Sequence, residues 1–158
     1  MTTNEIYQLW FSKTKDLRYL RPKRWSQIRK LIESQQLKTV LEFGSGISTL
    51  LFDNLGLKVL SFETNEGHMK FVKRLCSPKV LFTLWDNKNL HIQGIHDIAF
   101  VDGGLPRTDQ FRIAAKHSKF LIIDDFATKI KNELMPKLTN YKRLDDESTI
   151  LAIFKKRF

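Results

Sequence analysis

The segment that most constrains this chain is Val40-Leu41-Glu42-Phe43-Gly44-Ser45-Gly46-Ile47-Ser48-Thr49, an apolar run that meets an acid and then a turn of small residues. Twenty-one residues beyond Glu42, a second apolar run, Val59-Leu60-Ser61-Phe62, ends in Glu63. Glycines let backbone approach a ligand with no Cβ in the way, and an acid at the tip of the next strand can accept hydrogen bonds from ribose hydroxyls. Two strands joined by a glycine-bearing turn, with an acid at the end of the second, describe a nucleoside-binding βαβ unit.

The rest of the chain keeps the same alternation. Two helices lead. One runs from Asn4, its expected cap, to Ser12 with Ile6, Leu9 and Trp10 on one face; the other runs from Pro22 to Ser34 with Trp25, Ile28, Leu31 and Ile32 at the helical period. Strands are expected at Thr39–Phe43, Lys58–Phe62, Val80–Trp85, His96–Val101 and Lys119–Ile123, with helices at Ser48–Leu55, Glu66–Leu75, Arg107–His117 and Lys129–Leu138 between or after them. Continuous apolar strands separated by helices are those of a parallel sheet covered on both faces. Tyr141–Leu144 and Thr149–Phe154, joined by the polar turn Asp145-Asp146-Glu147-Ser148, read as an antiparallel hairpin.

The dinucleotide fingerprint G-x-G-x-x-G wants a third glycine where this chain has Thr49. The pattern Glu42-x-Gly44-x-Gly46-x-Ser48 instead resembles motif I of the class I S-adenosylmethionine (SAM)-dependent methyltransferases. That resemblance implies that Gly44 and Gly46 pass the methionine part of SAM, that Glu42 and Ser48 belong to the same cofactor turn, and that Glu63 holds the ribose. Asp86, after the third strand, stands where the family contacts adenine; the alternative is an exposed loop acid. The order of elements resembles the family's core over roughly residues 20–158. The implied fold is α/β: a doubly wound, seven-stranded, Rossmann-like sheet with a C-terminal antiparallel β-hairpin. The chain reads as one domain, residues 1–158, with a basic helical region at 1–38 and the SAM-binding core at 39–158. A dehydrogenase would continue with parallel strands and add a catalytic domain.

In such a sheet, ligands sit beyond the carboxyl ends of the strands. There the pattern Phe100-Val101-Asp102-Gly103, then Arg107, then Ile122-Ile123-Asp124-Asp125, resembles the O-methyltransferase branch that binds a divalent cation. The resemblance implies Asp102, Asp124 and Asp125 as ligands of Mg²⁺, with Asp102, Asp124 and Arg107 near the methyl acceptor and oxygen as the accepting atom. Three converging carboxylates repel one another unless a cation or ordered donors stand among them, and an all-oxygen ligand set suits Mg²⁺. Members of that branch place a lysine base after the strand-four acid, where this chain has Gly103-Gly104-Leu105-Pro106. Arg107 stays charged and cannot replace it as a base; it can clamp an anionic substrate or pair with Asp102 or Asp109. Asp124 binding backbone amides of the next turn, and Asp125 capping the next helix, are the structural alternatives. A metal-free enzyme using Asp102 or Asp124 as base, or proximity alone, is open on the same residues.

The charge is uneven. Residues 1–38 hold nine Lys and Arg against three acids in a chain of net charge +10. Such a block either steers a polyanion such as nucleic acid or is a solvated helix surface. The interleaved Tyr7, Trp10, Phe11, Tyr19 and Trp25 either stack on bases or pack on the sheet. Cys76, the single cysteine, has no internal disulfide partner and reads as a core filler, in keeping with a reducing, cytoplasmic setting. No bilayer-length apolar run or signal-peptide core is present. No histidine forms a metal-spaced pair. The function expected is SAM-dependent methyl transfer to a small or anionic acceptor that the sequence does not name. Alternatives are an RNA-directed methyltransferase and a non-catalytic SAM- or nucleotide-binding module; a homo-oligomer is left open.

Overall fold

Each apolar run becomes a strand: β1 (Thr39–Phe43), β2 (Lys58–Glu63), β3 (Leu81–Leu84), β4 (His96–Val101), β5 (Ser118–Ile123), β6 (Tyr141–Arg143) and β7 (Ala152–Lys156). The helices are α1 (Thr3–Thr14), α2 (Pro22–Gln35), α3 (Ile47–Asn54), α4 (Glu66–Lys73), α5 (Arg107–Lys116) and α6 (Thr128–Leu134), the last followed by a 3₁₀ turn at Met135–Lys137. This computed structural model describes residues 1–15, 20–86, 90, 92–102, 107–126, 128–145 and 151–157.

The strands form one sheet in the order β3-β2-β1-β4-β5-β7-β6. Strands β1 to β5 are parallel; β7 runs antiparallel to β5, and β6 antiparallel to β7. The chain winds outward from β1 to β3, then returns to β4 on the other side of β1. The strand order therefore reverses between β1 and β4, the position where an open α/β sheet leaves a crevice.

Side chains alternate across each strand, and both faces are covered. Val40, Val59, Ile98, Phe100, Phe120 and Ile122 face a layer made by α1 to α4, in one core with Ile6, Trp10, Trp25, Ile28, Leu50, Phe52 and Val72. Leu41, Phe43, Phe62, Ala99, Val101, Leu121 and Ile123 face the other way, onto Phe111 and Ala114 of α5 and Leu134 of α6. Glu42 lies between Val40 and the turn at the same parity as Val40, so its carboxylate points into the α1–α4 layer.

Local chemistry explains where boundaries depart from the sequence reading. Helix α1 is capped by Thr2, not Asn4: Glu5 N–H donates to Thr2 Oγ1 at 3.3 Å and Thr2 N–H donates to Glu5 Oε2 at 2.7 Å, a reciprocal capping box. Helix α6 stops at Leu134, before the expected Leu138, as Pro136 follows and cannot donate to a helical ladder. Strand β7 begins at Ala152, and residues 146–150, which hold most of the expected turn and the first two positions of the expected last strand, lie outside the described residues.

The leading helices are part of the core. Trp10 and Trp25 are 4% and 2% exposed, and the buried Tyr7 hydroxyl donates to Leu20 C=O at 2.8 Å. Trp25 meets Phe52 edge-on at 5.5 Å, and Phe52 meets Phe100 at 5.6 Å. These rings pack on the sheet, so base stacking is not available to them; Tyr19 lies outside the described residues. Among the described residues no helix is long and apolar enough to cross a membrane.

Phe52 links α2, α3 and β4 in one ring cluster. Phe52→Ala is expected to cost about 3–5 kcal/mol, the range for emptying a buried aromatic site. Urea unfolding followed by tryptophan fluorescence measures it, and a loss of under about 1 kcal/mol would show that the leading helices do not dock on the sheet as described.

Candidate cofactor and acceptor site

The carboxyl ends of five strands are stitched side by side. Gly44 N–H donates to Phe62 C=O at 2.8 Å, Trp85 N–H to Glu63 C=O at 2.8 Å, Asp102 N–H to Phe43 C=O at 3.0 Å and Asp124 N–H to Val101 C=O at 3.1 Å. The backbone thus sets Gly44, Glu63, Asp102 and Asp124 along one edge of the sheet, with the β1/β4 reversal in the middle.

Glu42 supports this edge from beneath. It is fully buried, and its two oxygens accept three hydroxyls: Ser48 at 2.6 Å, Thr49 at 2.6 Å and Ser61 at 2.7 Å. Thr49 Oγ1 in turn accepts Gly46 N–H at 2.9 Å. One carboxyl therefore fastens β1, β2 and the start of α3, and through Thr49 it positions the turn itself. Ser48 is equally buried and serves the same network. Burial pushes the Glu42 carboxyl up and the three hydroxyl donors pull it back, leaving it at about 7.

The two glycines differ. Gly44 has φ 94°, a left-handed backbone that side chains rarely adopt. Gly46 is extended at φ 178°, and a Cβ there would meet only Trp10 Cη2, at an ordinary 3.9 Å. Neither its backbone conformation nor crowding by the described residues demands glycine at 46.

Glu63 joins the β1–α3 turn to the β2–α4 turn. Its Oε2 accepts Ser45 N–H at 3.1 Å and the Ser45 hydroxyl at 2.9 Å; its Oε1 accepts Thr64 N–H at 2.8 Å and Asn65 N–H at 2.9 Å. Asn65 caps α4 through His68 N–H at 2.8 Å, and His68 Nε2 donates to Ser45 C=O at 2.9 Å. Trp10 packs edge-on against His68 at 6.3 Å and Phe71 at 5.9 Å. Ser45, His68 and Trp10 thus border the turn without having been singled out for it in the sequence. Asn65 three residues before His68 signals the helix start, but nothing in the sequence places α1 over Gly46.

At the other end of the edge, strand alternation carries Asp124 onto the α2 side, where Arg24 meets it. Arg24 Nη1 lies 2.6 Å from Asp124 Oδ1 and 3.0 Å from Asp125 Oδ1. Burial pushes the Asp124 carboxyl up, only partly offset by Arg24 and by a hydrogen bond from the Asp125 backbone. Asp125 sits in the left-handed region at φ 53° and is exposed. Asp102 is half-buried on the next strand end, and Asp86 is exposed after β3. The Arg107 side chain, and the Gly103–Pro106 segment before it, lie outside the described residues. Burial, with Asp53 and Glu42 nearby, pushes the Cys76 thiol up to about 12, as befits an inert core filler.

These residues do not fit the Mg²⁺ site suggested by the sequence. The place between Asp124 and Asp125 is spanned by a guanidinium, and no group of three His, Cys, Asp or Glu side chains among the described residues is arranged to hold a metal ion.

No protein-family profile and no curated protein matches this sequence. Solved structures do match its fold. An O-methyltransferase from Bacillus cereus, in complex with SAH, superposes with a TM-score of 0.73 at 15% identity, covering 99% of this chain and 90% of that one. Cofactor-bound Rv0187 from MTB gives 0.76 at 12% identity, over 98% of this chain and 88% of that one. The fold is that of the class I SAM-dependent methyltransferases. The tRNA methyltransferase TrmI from Aquifex aeolicus shares the methyltransferase fold too, with a TM-score of 0.72 at 18% identity over 100% of this chain and 76% of that one.

Glu42 makes stability depend on pH. Its folded value lies above its ordinary one, so the native chain holds a proton that the unfolded chain has released, and stability falls as pH rises from 4.5 to about 7. Glu42→Gln, whose amide offers a single acceptor oxygen to three hydroxyls, is expected to lower stability at every pH and to flatten that slope. Urea unfolding at intervals across the window reads both effects; a slope unchanged in the variant would assign the titration to another group.

Proposed function

We propose that this chain is a SAM-dependent methyltransferase, with the cofactor across the β1/β4 reversal and the acceptor beside the ends of β4 and β5. The observation that carries the reading is the Gly44–Gly46 turn, shaped from below by Glu42 and tied through Ser45 to Glu63 on the neighbouring strand. Gly44 and Gly46 leave backbone open toward the methionine part. Glu63, already accepting a serine hydroxyl, is the acceptor for ribose hydroxyls, and Asp86 lies one strand further along for the adenine. Bound there, SAM supplies an electrophilic methyl group. Asp102 and Asp124 border the place where an acceptor would lie, Asp102 as the candidate proton acceptor when an oxygen is methylated and Arg107 as the candidate clamp for an anionic group. A cytoplasmic setting is in keeping with a single cysteine that has no internal disulfide partner.

A polyanionic acceptor such as RNA is a second reading. It is favoured by the exposed Lys13, Lys15, Arg21, Lys23, Arg29, Lys30 and Lys38 of the leading region. Binding of single-stranded RNA would then weaken steeply with salt, since each neutralised phosphate releases a counterion. Affinity that is flat with salt would remove this reading.

The cofactor assignment is tested by thermal shift and calorimetry. SAM and SAH are expected to raise the melting temperature and NAD⁺ to leave it unchanged. Glu63→Gln is expected to weaken SAH binding about tenfold or more, the scale of a lost charged hydrogen bond. Failure of both SAM and SAH to bind the wild-type protein would overturn the assignment.

A further inference from the structure

The acidic corner at the end of β5 has a partner from an unexpected quarter. Asp124 and Asp125 are adjacent in sequence, and Asp102 ends the neighbouring strand. Of these, Asp124 and Asp125 turn their carboxylates to one place, and two carboxylates that close need positive charge beside them. Arg24, one hundred positions earlier than Asp124, provides it with a single nitrogen: Nη1 stands 2.6 Å from Asp124 Oδ1 and 3.0 Å from Asp125 Oδ1. This is no loose surface pair, since the Asp124 side chain is 3% exposed and that of Arg24 17%.

The position of the guanidinium is built into the fold. Helix α2 starts at Pro22, whose ring presets the first turn, and the residue after Arg24 is the buried Trp25, locked against Phe52. With Trp25 fixed on one side of the helix, Arg24 is aimed at the end of β5. On the other side, the left-handed turn at Asp125 brings its carboxylate round to the same nitrogen as that of Asp124.

We infer that Arg24 is the internal cation of this site: it takes the place that a divalent metal would occupy between Asp124 and Asp125, and the protein works without one. The inference deepens the methyltransferase reading, because it makes that reaction metal-independent, but it concerns an electrostatic site that exists with or without SAM. A guanidinium at this place keeps one positive charge beside the two carboxylates at neutral pH, as it does not deprotonate. It donates hydrogen bonds and offers no vacant coordination position, so an acceptor hydroxyl cannot be activated by ligation there. Charge is supplied by the leading helix instead of by the solvent, which also ties the 1–38 region to the site.

Mn²⁺ is a spectroscopic probe for an octahedral oxygen site of the Mg²⁺ type, and its free signal in electron paramagnetic resonance reports binding without any turnover. Wild-type protein is expected to leave Mn²⁺ free up to millimolar concentration and to keep its melting temperature in EDTA. Arg24→Met, which keeps the length of the stem and removes the charge, is expected to bind one Mn²⁺ more than tenfold tighter than wild type. Adding Asp124→Asn should abolish that gain, and Arg24→Lys, which keeps the charge, should not show it. Wild-type protein that binds Mn²⁺ below millimolar and loses it in Asp124→Asn would overturn the inference. So would a folded Arg24→Met variant that gains no Mn²⁺ affinity. The wild-type measurement stands even where a variant fails to fold. Loss of the SAM assignment, read by SAH calorimetry, would leave these Mn²⁺ outcomes unchanged.

Discussion

The site depends on a buried acid that touches no solvent. Glu42 brings a carboxyl into the layer between the sheet and α1–α4, where leaving it without partners would cost several kcal/mol. Three hydroxyls answer it, from β2 and from two successive residues of α3. An apolar residue at 42 would strand all three, so this acid and these hydroxyls stand or fall together. Their arrangement gives the glycine turn its shape: Thr49 passes the hold of Glu42 to Gly46 N–H, and the register of β1 with β2 places Ser61 opposite Glu42. A turn held in this way is preorganised, so a ligand binding to it has less ordering to drive.

The leading helices complete what the sheet begins. Trp10 covers the turn at Gly46 and braces His68, which holds Ser45 from the far side. Arg24 reaches the end of β5. A region that its charge alone would describe as a solvated basic block thus supplies two fixed contacts, one at the turn and one at the acidic corner. Trp25 and Phe52 make the second contact rigid by fastening α2 to the core.

The five parallel strands were legible because each is an apolar run followed within a residue or two by an acid or a glycine, and the β1–α3 turn was legible because its residue types are so restricted. The seven-stranded, doubly wound sheet came through likeness of pattern to the methyltransferases and the terminal hairpin through its short polar turn, since apolar runs by themselves do not say which strand lies beside which. What escaped the sequence is what depends on distance along the chain. The Arg24–Asp124 pair spans one hundred positions, and Trp10 meets the Gly46 turn from a helix that precedes it by more than thirty. Glu42 illustrates the other limit: its place in the motif could be read, but its burial beneath the turn follows from strand parity and from the α1–α4 layer above it. The aromatic residues of the first helices admitted two readings, and packing decides for the core because Tyr7, Trp10 and Trp25 each have a face of the sheet or a helix to cover.

Two departures from the metal-dependent pattern now bear on each other. The segment after Asp102 has no lysine to act as base, and the place between the β5 carboxylates is held by a guanidinium. A metal acts on a hydroxyl acceptor by lowering its pKa, after which a nearby base removes the proton. Arg24 in the metal's place offsets part of the negative charge and fixes Asp124 and Asp125, but it leaves the acidity of the acceptor as it was. On the methyl-transfer reading, the burden of activation then shifts from the protein to the acceptor, which must carry an atom already nucleophilic at neutral pH, or to the half-buried Asp102. Either way the protein contributes mainly position and exclusion of water, and that is the contribution a rigid turn, a buried carboxyl and two anchored helices are suited to make.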